Sequence, residues 1–126
     1  MKKFRIPFTT VFAESTTAVG IPVTGWFEAE DFGRLGFDLE LRAKTGVLEV
    51  ALGYETADNE DTPDTAVAVT SYRTANGFTF RGSLTDISAT TAGKRLIRIV
   101  FLVKLTSGST LALGRAGGAA YVVKRS

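Results

Sequence analysis

The stretch "LGFDLELRAK", residues 35–44, alternates apolar and polar residues without a break. A period of two places every apolar side chain on one face of an extended strand, whereas a helix would need a period near 3.6. The stretch therefore predicts a β-strand with one buried face. The residues on that face are Leu35, Phe37, Leu39, Leu41 and Ala43, and Gly36, Asp38, Glu40, Arg42 and Lys44 lie between them.

The residues that follow predict a hairpin. Thr45-Gly46 is a tight-turn signal, and the next strand, "VLEVALGYET" at residues 47–56, repeats the alternation. A one-residue shift of the register would break every apolar match between the two strands. With Thr45-Gly46 as a two-residue loop, the predicted facing pairs are Ala43 with Leu48, Leu41 with Val50, Leu39 with Leu52, Phe37 with Tyr54 and, on the opposite side, Arg42 with Glu49.

Further strands follow along the chain. Asn76-Gly77 predicts a hairpin turn into "FTFRG" (78–82), and "SGS" (107–109) turns the long strand "RLIRIVFLVKL" (95–105) into "TLALG" (110–114). The middle of the long strand is apolar on both faces. It is therefore expected to be central in its sheet or half covered by a neighbouring subunit.

The spacing of strands and turns predicts an all-β protein, an antiparallel β-sandwich or jelly roll of about eight to ten short strands. A chain of 126 residues suits one domain. We expect residues 13–126 to form a single β-sandwich, preceded by residues 1–12 as an N-terminal arm or first strand. In that first segment the predicted one-sided apolar set is Phe4, Ile6, Phe8 and Phe12.

The composition excludes several classes of chemistry. The chain has no histidine and no cysteine, which rules out Ser-His-Asp and Cys-His nucleophiles and zinc sites built on His or Cys. An enzyme based on carboxylates or lysine stays open, but no catalytic motif is present, so we expect no enzymatic activity and no cofactor. The longest uncharged run, residues 15–27, contains Pro22 and many Thr and Gly residues and does not predict a membrane span.

Charge is distributed unevenly along the chain. Residues 1–64 carry 12 acidic and 6 basic side chains, whereas residues 65–126 carry 1 acidic and 9 basic side chains. The two halves either interleave in the folded sheets or make a dipolar molecule that packs head to tail or docks on an acidic partner.

The acidic stretch "YETADNEDTPD", residues 54–64, is a candidate metal site. An EF-hand loop that starts at Asp58 would need Gly at its sixth position and Glu at its twelfth, where the chain has Pro63 and Val69. The stretch therefore predicts a polar loop in which Asp and Pro serve turn chemistry, with no bound metal. A looser calcium site in a sandwich loop is the alternative.

Trp26 and Phe27 form the second candidate site. On a strand their side chains point to opposite faces, so one belongs to the core and the other is exposed or at a subunit contact. The alternative is stacking on a sugar ring, with Glu28, Glu30 and Asp31 close enough to assist. "GRAGG" (114–118) has only the glycines of a phosphate loop and predicts a turn before the last strand. Lys94, Arg95 and Arg98 lack a recognised nucleic-acid motif, so no nucleic-acid partner is predicted.

The whole sequence resembles the small all-β virion proteins of tailed bacteriophages, above all capsid decoration (cement) proteins. The resemblance is carried by a short chain without Cys or His and by a basic and apolar amino-terminal segment, "MKKFRIPF". The stretch "LIRIVFLVKLTSGSTLALG", residues 96–114, is similar to the late central hairpin of such proteins.

The resemblance implies a non-enzymatic structural protein of the virion, made in the host cytoplasm. It would bind the major capsid protein or another virion protein as a homo-oligomer, often a trimer. The residues expected at partner contacts are Phe4, Arg5, Ile6, Phe8, Phe12 and Trp26. The alternative function is a carbohydrate-binding or adhesion β-sandwich, whose partner would be a sugar polymer.

Overall fold

The computed structural model describes residues 1–45, 48–74, 79–106 and 111–124. Two short helical pieces lie between strands, a 3-10 turn at Ala29–Asp31 and helix α1 at Ser88–Thr91. The predicted all-β class is confirmed. The strands are β1 (Lys2–Ala13), β2 (Val19–Pro22), β3 (Phe27–Glu28), β4 (Arg34–Thr45), β5 (Leu48–Ala57), β6 (Val67–Ala68), β7 (Thr79–Asp86), β8 (Leu96–Leu105) and β9 (Ala112–Val123).

The strands form two antiparallel sheets that enclose one main core. The four-stranded sheet has the order β1-β9-β4-β7, and the five-stranded sheet has the order β2-β8-β5-β6, with β3 also paired to β8. Most connections cross from one sheet to the other, as in a jelly roll. In these strand orders, β1 lies at one edge of the four-stranded sheet and β2 lies at one edge of the five-stranded sheet.

The predicted hairpin between residues 35 and 56 is wrong. Leu39 in β4 pairs with Phe80 and Gly118, and Leu52 in β5 pairs with Phe101, so the two strands belong to different sheets. Both strands do bury the predicted faces, because each contributes one wall of the same core. Alternation identifies the buried face of a strand but not its partner, since facing walls of a sandwich carry the same pattern.

Two other predicted hairpins are also wrong. β6 pairs with β5 and β7 pairs with β4, so the strands on either side of Asn76-Gly77 lie in different sheets. β8 and β9 are separated in the same way, which removes the predicted hairpin of residues 96–114. The turn residues themselves, Gly46, Asn76-Gly77 and 107–109, lie outside the described residues.

β8 is central, as predicted, and is covered on both faces by its own chain. One face, with Ile97, Ile99 and Phe101, lies in the main core. The other face buries Val100 and Leu102 with Ala51, under Ala66 and Tyr72. The segment between β5 and β7 therefore supplies the cover that a neighbouring subunit was expected to give.

The acidic and basic halves interleave strand by strand. Every neighbour in the orders β1-β9-β4-β7 and β2-β8-β5-β6 comes from the other half of the sequence. Ion pairs follow this arrangement, because Glu55 with Arg98, Asp64 with Lys94 and Asp31 with Lys124 each join the two halves. The strand order therefore matches the interleaved arrangement of the two halves.

Candidate interaction surface

The amino-terminal segment is an integral edge strand of the sandwich. Lys2–Ala13 pairs with β9 of the same chain along its length, from Lys2 opposite Val122 to Ala13 opposite Ala112. Its other side is the edge of the four-stranded sheet. Exposed Lys2, Lys3 and Pro7 lie on this edge strand, and such residues discourage further strand pairing.

A register shift between Ile6 and Thr9 changes the face that each apolar residue presents. Before the shift Ile6 is buried in the core, and after it Val11 and Ala13 are buried while Phe12 is 50% exposed. The prediction that Phe4, Ile6, Phe8 and Phe12 share one side is therefore wrong. A β-bulge inserts one extra residue, which reverses the alternation beyond it.

Phe8 lies on the outer face of the four-stranded sheet, beside Arg42 and Gly117. The Arg42 guanidinium is 3.7 Å from the Phe8 ring centroid, and Arg42 is itself held by Glu40 at 3.2 Å. The ring also covers Gly117, where a Cβ atom would come within 3.0 Å of Phe8. Of the expected contact residues in this strand, Phe8 is half-buried and Arg5 is exposed.

An aromatic cavity lies at the amino-terminal end of β1. Phe4 stacks on Phe27 at 5.2 Å and on Phe32 at 6.4 Å between ring centroids. These rings line a cavity of about 390 Å³ with Lys2 and Lys124 among its other lining residues. Phe4 is therefore half-buried between the core and this cavity.

An apolar corner patch lies at the other end of β1. We define it as Phe12, Val19, Leu113 and, two residues before Leu113 in the chain, Leu111, which are 50%, 56%, 44% and 50% exposed. Phe12 is directly opposite Leu113 across β1 and β9, and Phe12 and Val19 line one cavity of about 300 Å³. Three of these residues, Val19, Leu111 and Leu113, were not predicted as contact residues, although "TLALG" alternates Leu with Ala and Gly and so has apolar residues on both faces.

Trp26 and Phe27 point to opposite sides, as predicted. Phe27 joins the aromatic cluster against the core, whereas Trp26 is half-buried beside β8. The Arg98 guanidinium lies 4.4 Å from the Trp26 ring centroid and donates a 2.7 Å hydrogen bond to Glu55. One face of the indole is thus occupied by a cation that a carboxylate holds in place.

The acidic loop is organised by hydrogen bonds within the protein. Asn59 accepts hydrogen bonds from the Asp61 N–H and the Thr62 hydroxyl, which is Asx-turn geometry. Asp64 turns away and meets Lys94 at 2.9 Å and the Thr56 hydroxyl at 2.9 Å. These two hydrogen bonds, the one from Lys94 first, lower the pKa of Asp64, and the same contact raises the pKa of Lys94. Among the residues that the structure describes, no group of three or more acidic side chains is placed to hold a metal ion.

The predicted turn at residues 114–118 is wrong, because these residues lie inside β9. Gly118 has a φ of 146°, and a Cβ atom there would collide with the Asp38 carbonyl. Only glycine fits this close approach of two strands. Of the basic residues considered for nucleic acid, Lys94 and Arg98 are engaged with Asp64 and Glu55, and Arg95 is exposed.

The fold is similar to that of a viral particle protein. VP2 of infectious bursal disease virus, solved as a subviral particle, matches with a TM-score of 0.61 and 13% identity, over 98% of this chain and 32% of that chain. Particles of the Gt strain give a TM-score of 0.61 at 12% identity, over 98% and 33%, and T=1 particles give 0.62 at 12%, over 98% and 31%. This chain spans about a third of the length of each of these proteins.

No family model and no curated protein matches the sequence. Within the described part of the chain, no helix has the length and apolar character needed to cross a membrane. The structural similarity thus concerns the fold alone, a β-sandwich similar to part of VP2.

Proposed function

We propose that this chain is a non-enzymatic structural virion protein that binds and stabilises a bacteriophage capsid as a decoration protein. The observation that carries the proposal is the similarity of its fold, over 98% of its length, to VP2 in a subviral particle. The basic and apolar amino-terminal strand and the absence of His and Cys support the same role. The protein would be located in the virion and made in the host cytoplasm, with the major capsid protein or another virion protein as its partner.

The proposed contact residues lie on β1, together with Trp26, which lies beside β8. Arg5 is exposed, Phe4 and Phe8 are half-buried, and Phe12 is half exposed, so these four side chains are available to a partner. Ile6 is 2% exposed and contributes by holding β1 to the core. A partly exposed aromatic side chain next to a fixed cation is a common anchor in protein interfaces.

Mass spectrometry and immunogold labelling of purified virions from the source test the role directly. The protein should be found in stoichiometric amounts on the particle surface. Its absence from purified particles would overturn the proposal. Particles that lack the protein should regain it on mixing with the full chain, and their resistance to heat should rise.

Single variants test the surface in the same reconstitution. Arg5→Glu and Trp26→Ala should each weaken binding to the particles by roughly tenfold or more, because interface energy concentrates in a few Arg and aromatic residues. The matched control is Arg95→Glu, which makes the same charge change at an exposed site beside β8. Equal effects of Arg5→Glu and Arg95→Glu would show a nonspecific charge effect and contradict the surface.

A carbohydrate-binding or adhesion module is the second candidate, and Trp26 distinguishes it. Stacking of a sugar on the indole face covered by Arg98 would require displacement of a cation that Glu55 holds at 2.7 Å. A panel of bacterial surface polysaccharides should not retain the protein in affinity electrophoresis. Retention that Trp26→Ala abolishes would favour the adhesion module over the virion role.

A further inference from the structure

The corner patch is the most apolar exposed feature of the described residues. It holds four of the seven large hydrophobic side chains that are exposed there. Two of them, Phe12 and Leu113, are direct cross-strand neighbours. Contiguous exposed apolar side chains of this kind mark protein contacts in soluble proteins.

Opposite charges flank this patch along the strand direction. Arg115, which is exposed, pairs with Thr10 and so lies two residues from Leu113 on one side. Glu14, also exposed, follows Phe12 by two residues on the other side. Glu14 lies in the bend just after β1, and the apolar pair lies between it and Arg115.

This arrangement is complementary to itself. A suitable twofold axis lies in the plane of the patch and runs perpendicular to the strands, at the level of Phe12 and Leu113. Rotation about this axis places a second copy face to face with the first and reverses its strand direction. The Glu14 of each copy then faces the Arg115 of the other, and the two apolar centres meet. A twofold contact requires that one patch complement its own image, and a foreign partner would not require this symmetry.

We propose that the corner patch is a twofold contact between two copies of this chain, with Phe12 and Leu113 at its centre and Glu14–Arg115 pairs at its rim. The contact joins side chains and not strand edges, because Pro7 and the register shift beside it interrupt the free edge of β1. The inference rests on the proposed function in one respect, that the virion protein is a homo-oligomer, and it assigns Phe12 to the contact between copies.

Sedimentation velocity on the purified full chain tests this contact without any virion. The expected species is a dimer of the 13.5 kDa chain that dissociates on dilution. Phe12→Ser with Leu113→Ser should give a folded monomer. The matched control is Leu84→Ser, which removes an apolar side chain of 39% exposure on β7, at the other edge of the same sheet, and should leave the dimer intact.

Charge exchange separates pairing across the contact from a general effect on folding. Glu14→Arg alone and Arg115→Glu alone should each weaken dimerisation by roughly tenfold or more, because each variant places like charges opposite one another. The double variant Glu14→Arg with Arg115→Glu should restore dimerisation to within about threefold of the wild type. Circular dichroism confirms that each variant is folded.

Three outcomes overturn the twofold contact. The first is a monomer at all concentrations up to about 1 mM, because a contact weaker than this contributes little. The second is a trimer or another odd-numbered ring. The third is a double charge variant that dimerises no more tightly than the single variants. A protein that remains monomeric yet is found on purified virions would refute this contact and leave the virion role intact. A dimer that is absent from purified virions would support this contact and refute the virion role.

Discussion

Glu55 accepts a 2.7 Å hydrogen bond from Arg98, and this pair links neighbouring strands from the acidic and basic halves of the chain. The side chains are only 14% and 22% exposed, and the guanidinium also stacks on Trp26. Partial burial makes each charge dependent on the other, because removal of one leaves the second poorly solvated. The contact therefore adds a side-chain link between β5 and β8 to the backbone pairing of Glu55 with Arg98.

Glu55→Gln should lower the free energy of unfolding by about 1–3 kcal/mol, the range for a hydrogen bond to a charged group. The matched control is Glu40→Gln, whose partner Arg42 is 60% exposed. That change should cost less than about 0.5 kcal/mol, because solvent screens an exposed pair. Urea unfolding measures both values, and equal costs would contradict the argument.

Gly118→Ala should destabilise the protein by more than about 2 kcal/mol or prevent folding, since a Cβ atom would meet the Asp38 carbonyl at a strained φ. Gly25→Ala is the control, because nothing lies within 4 Å of a Cβ atom at Gly25. Thermal melts of the two variants should differ clearly. A Gly118→Ala protein as stable as the wild type would exclude this close approach of β4 and β9.

The Asp64–Lys94 pair should contribute to stability in a defined range of pH. The pKa of Asp64 is lowered on folding, so its contribution is present above the ordinary pKa of an aspartate, about 4, and is lost as the pH falls through the lower folded value. The pKa of Lys94 is raised, so its contribution is lost only as the pH rises through a value above that of an ordinary lysine.

In Asp64→Asn the acid limb of a plot of melting temperature against pH should therefore be shallower than in the wild type, and the loss of stability that comes from Lys94 at alkaline pH should be smaller. Asp61→Asn is the control, because Asp61 is an exposed carboxylate in the same loop that contributes to the pKa shift of neither Asp64 nor Lys94. Parallel acid limbs in Asp64→Asn and the wild type would contradict the assignment.

Tyr72→Ala should expose the second apolar face of β8. The ring packs over Val100 and Leu102, and Lys104 lies 4.3 Å from its centroid. The expected loss is about 1–3 kcal/mol, below the cost for a fully buried aromatic residue, together with increased binding of a hydrophobic dye. An unchanged unfolding midpoint and unchanged dye binding would mean that Tyr72 does not cover this face.

Calcium should not be required for folding. Thermal melts in calcium and in chelator should coincide, because Asn59 and Lys94 already organise the acidic loop. A bound ion at ~100-fold excess over its dissociation constant would add about 2.7 kcal/mol. A shift of several degrees on chelation would therefore reveal a calcium site.

Much of the core could be predicted from the sequence, but strand pairing could not. The buried faces that contain Leu39 and Leu52 were predicted correctly, because a hydrophobic period of two shows which face of a strand is apolar. Their partners could not be inferred from this pattern, since a strand opposite across the core and a strand beside it in the sheet have the same alternation. In the structure the chain crosses from one sheet to the other after most strands, and it does not form the local hairpins that the turn residues predicted.

The candidate surface was only partly predictable for a related reason. The exposure of Phe12 depends on the extra residue between Ile6 and Thr9, and a bulge of this kind leaves no periodic signature. The corner patch also combines residues from the two ends of the chain, Phe12 and Val19 near its start and Leu111 and Leu113 near its end. Trp26 and Phe27 do lie on different sides of the chain, but Trp26 precedes β3, so the predicted reason, two adjacent residues on one strand, does not apply.

The position of β9 between β1 and β4 determines when this protein can fold during synthesis. β9 is the last strand described, and it is the one neighbour of β1 in the sheet order. In a nascent chain β1 therefore lacks its strand partner until β9 has been synthesised, so the four-stranded sheet closes only after all the other described strands have emerged. Such a topology exposes apolar strand faces for longer than a chain of local hairpins would, which makes the nascent polypeptide a natural client for chaperones.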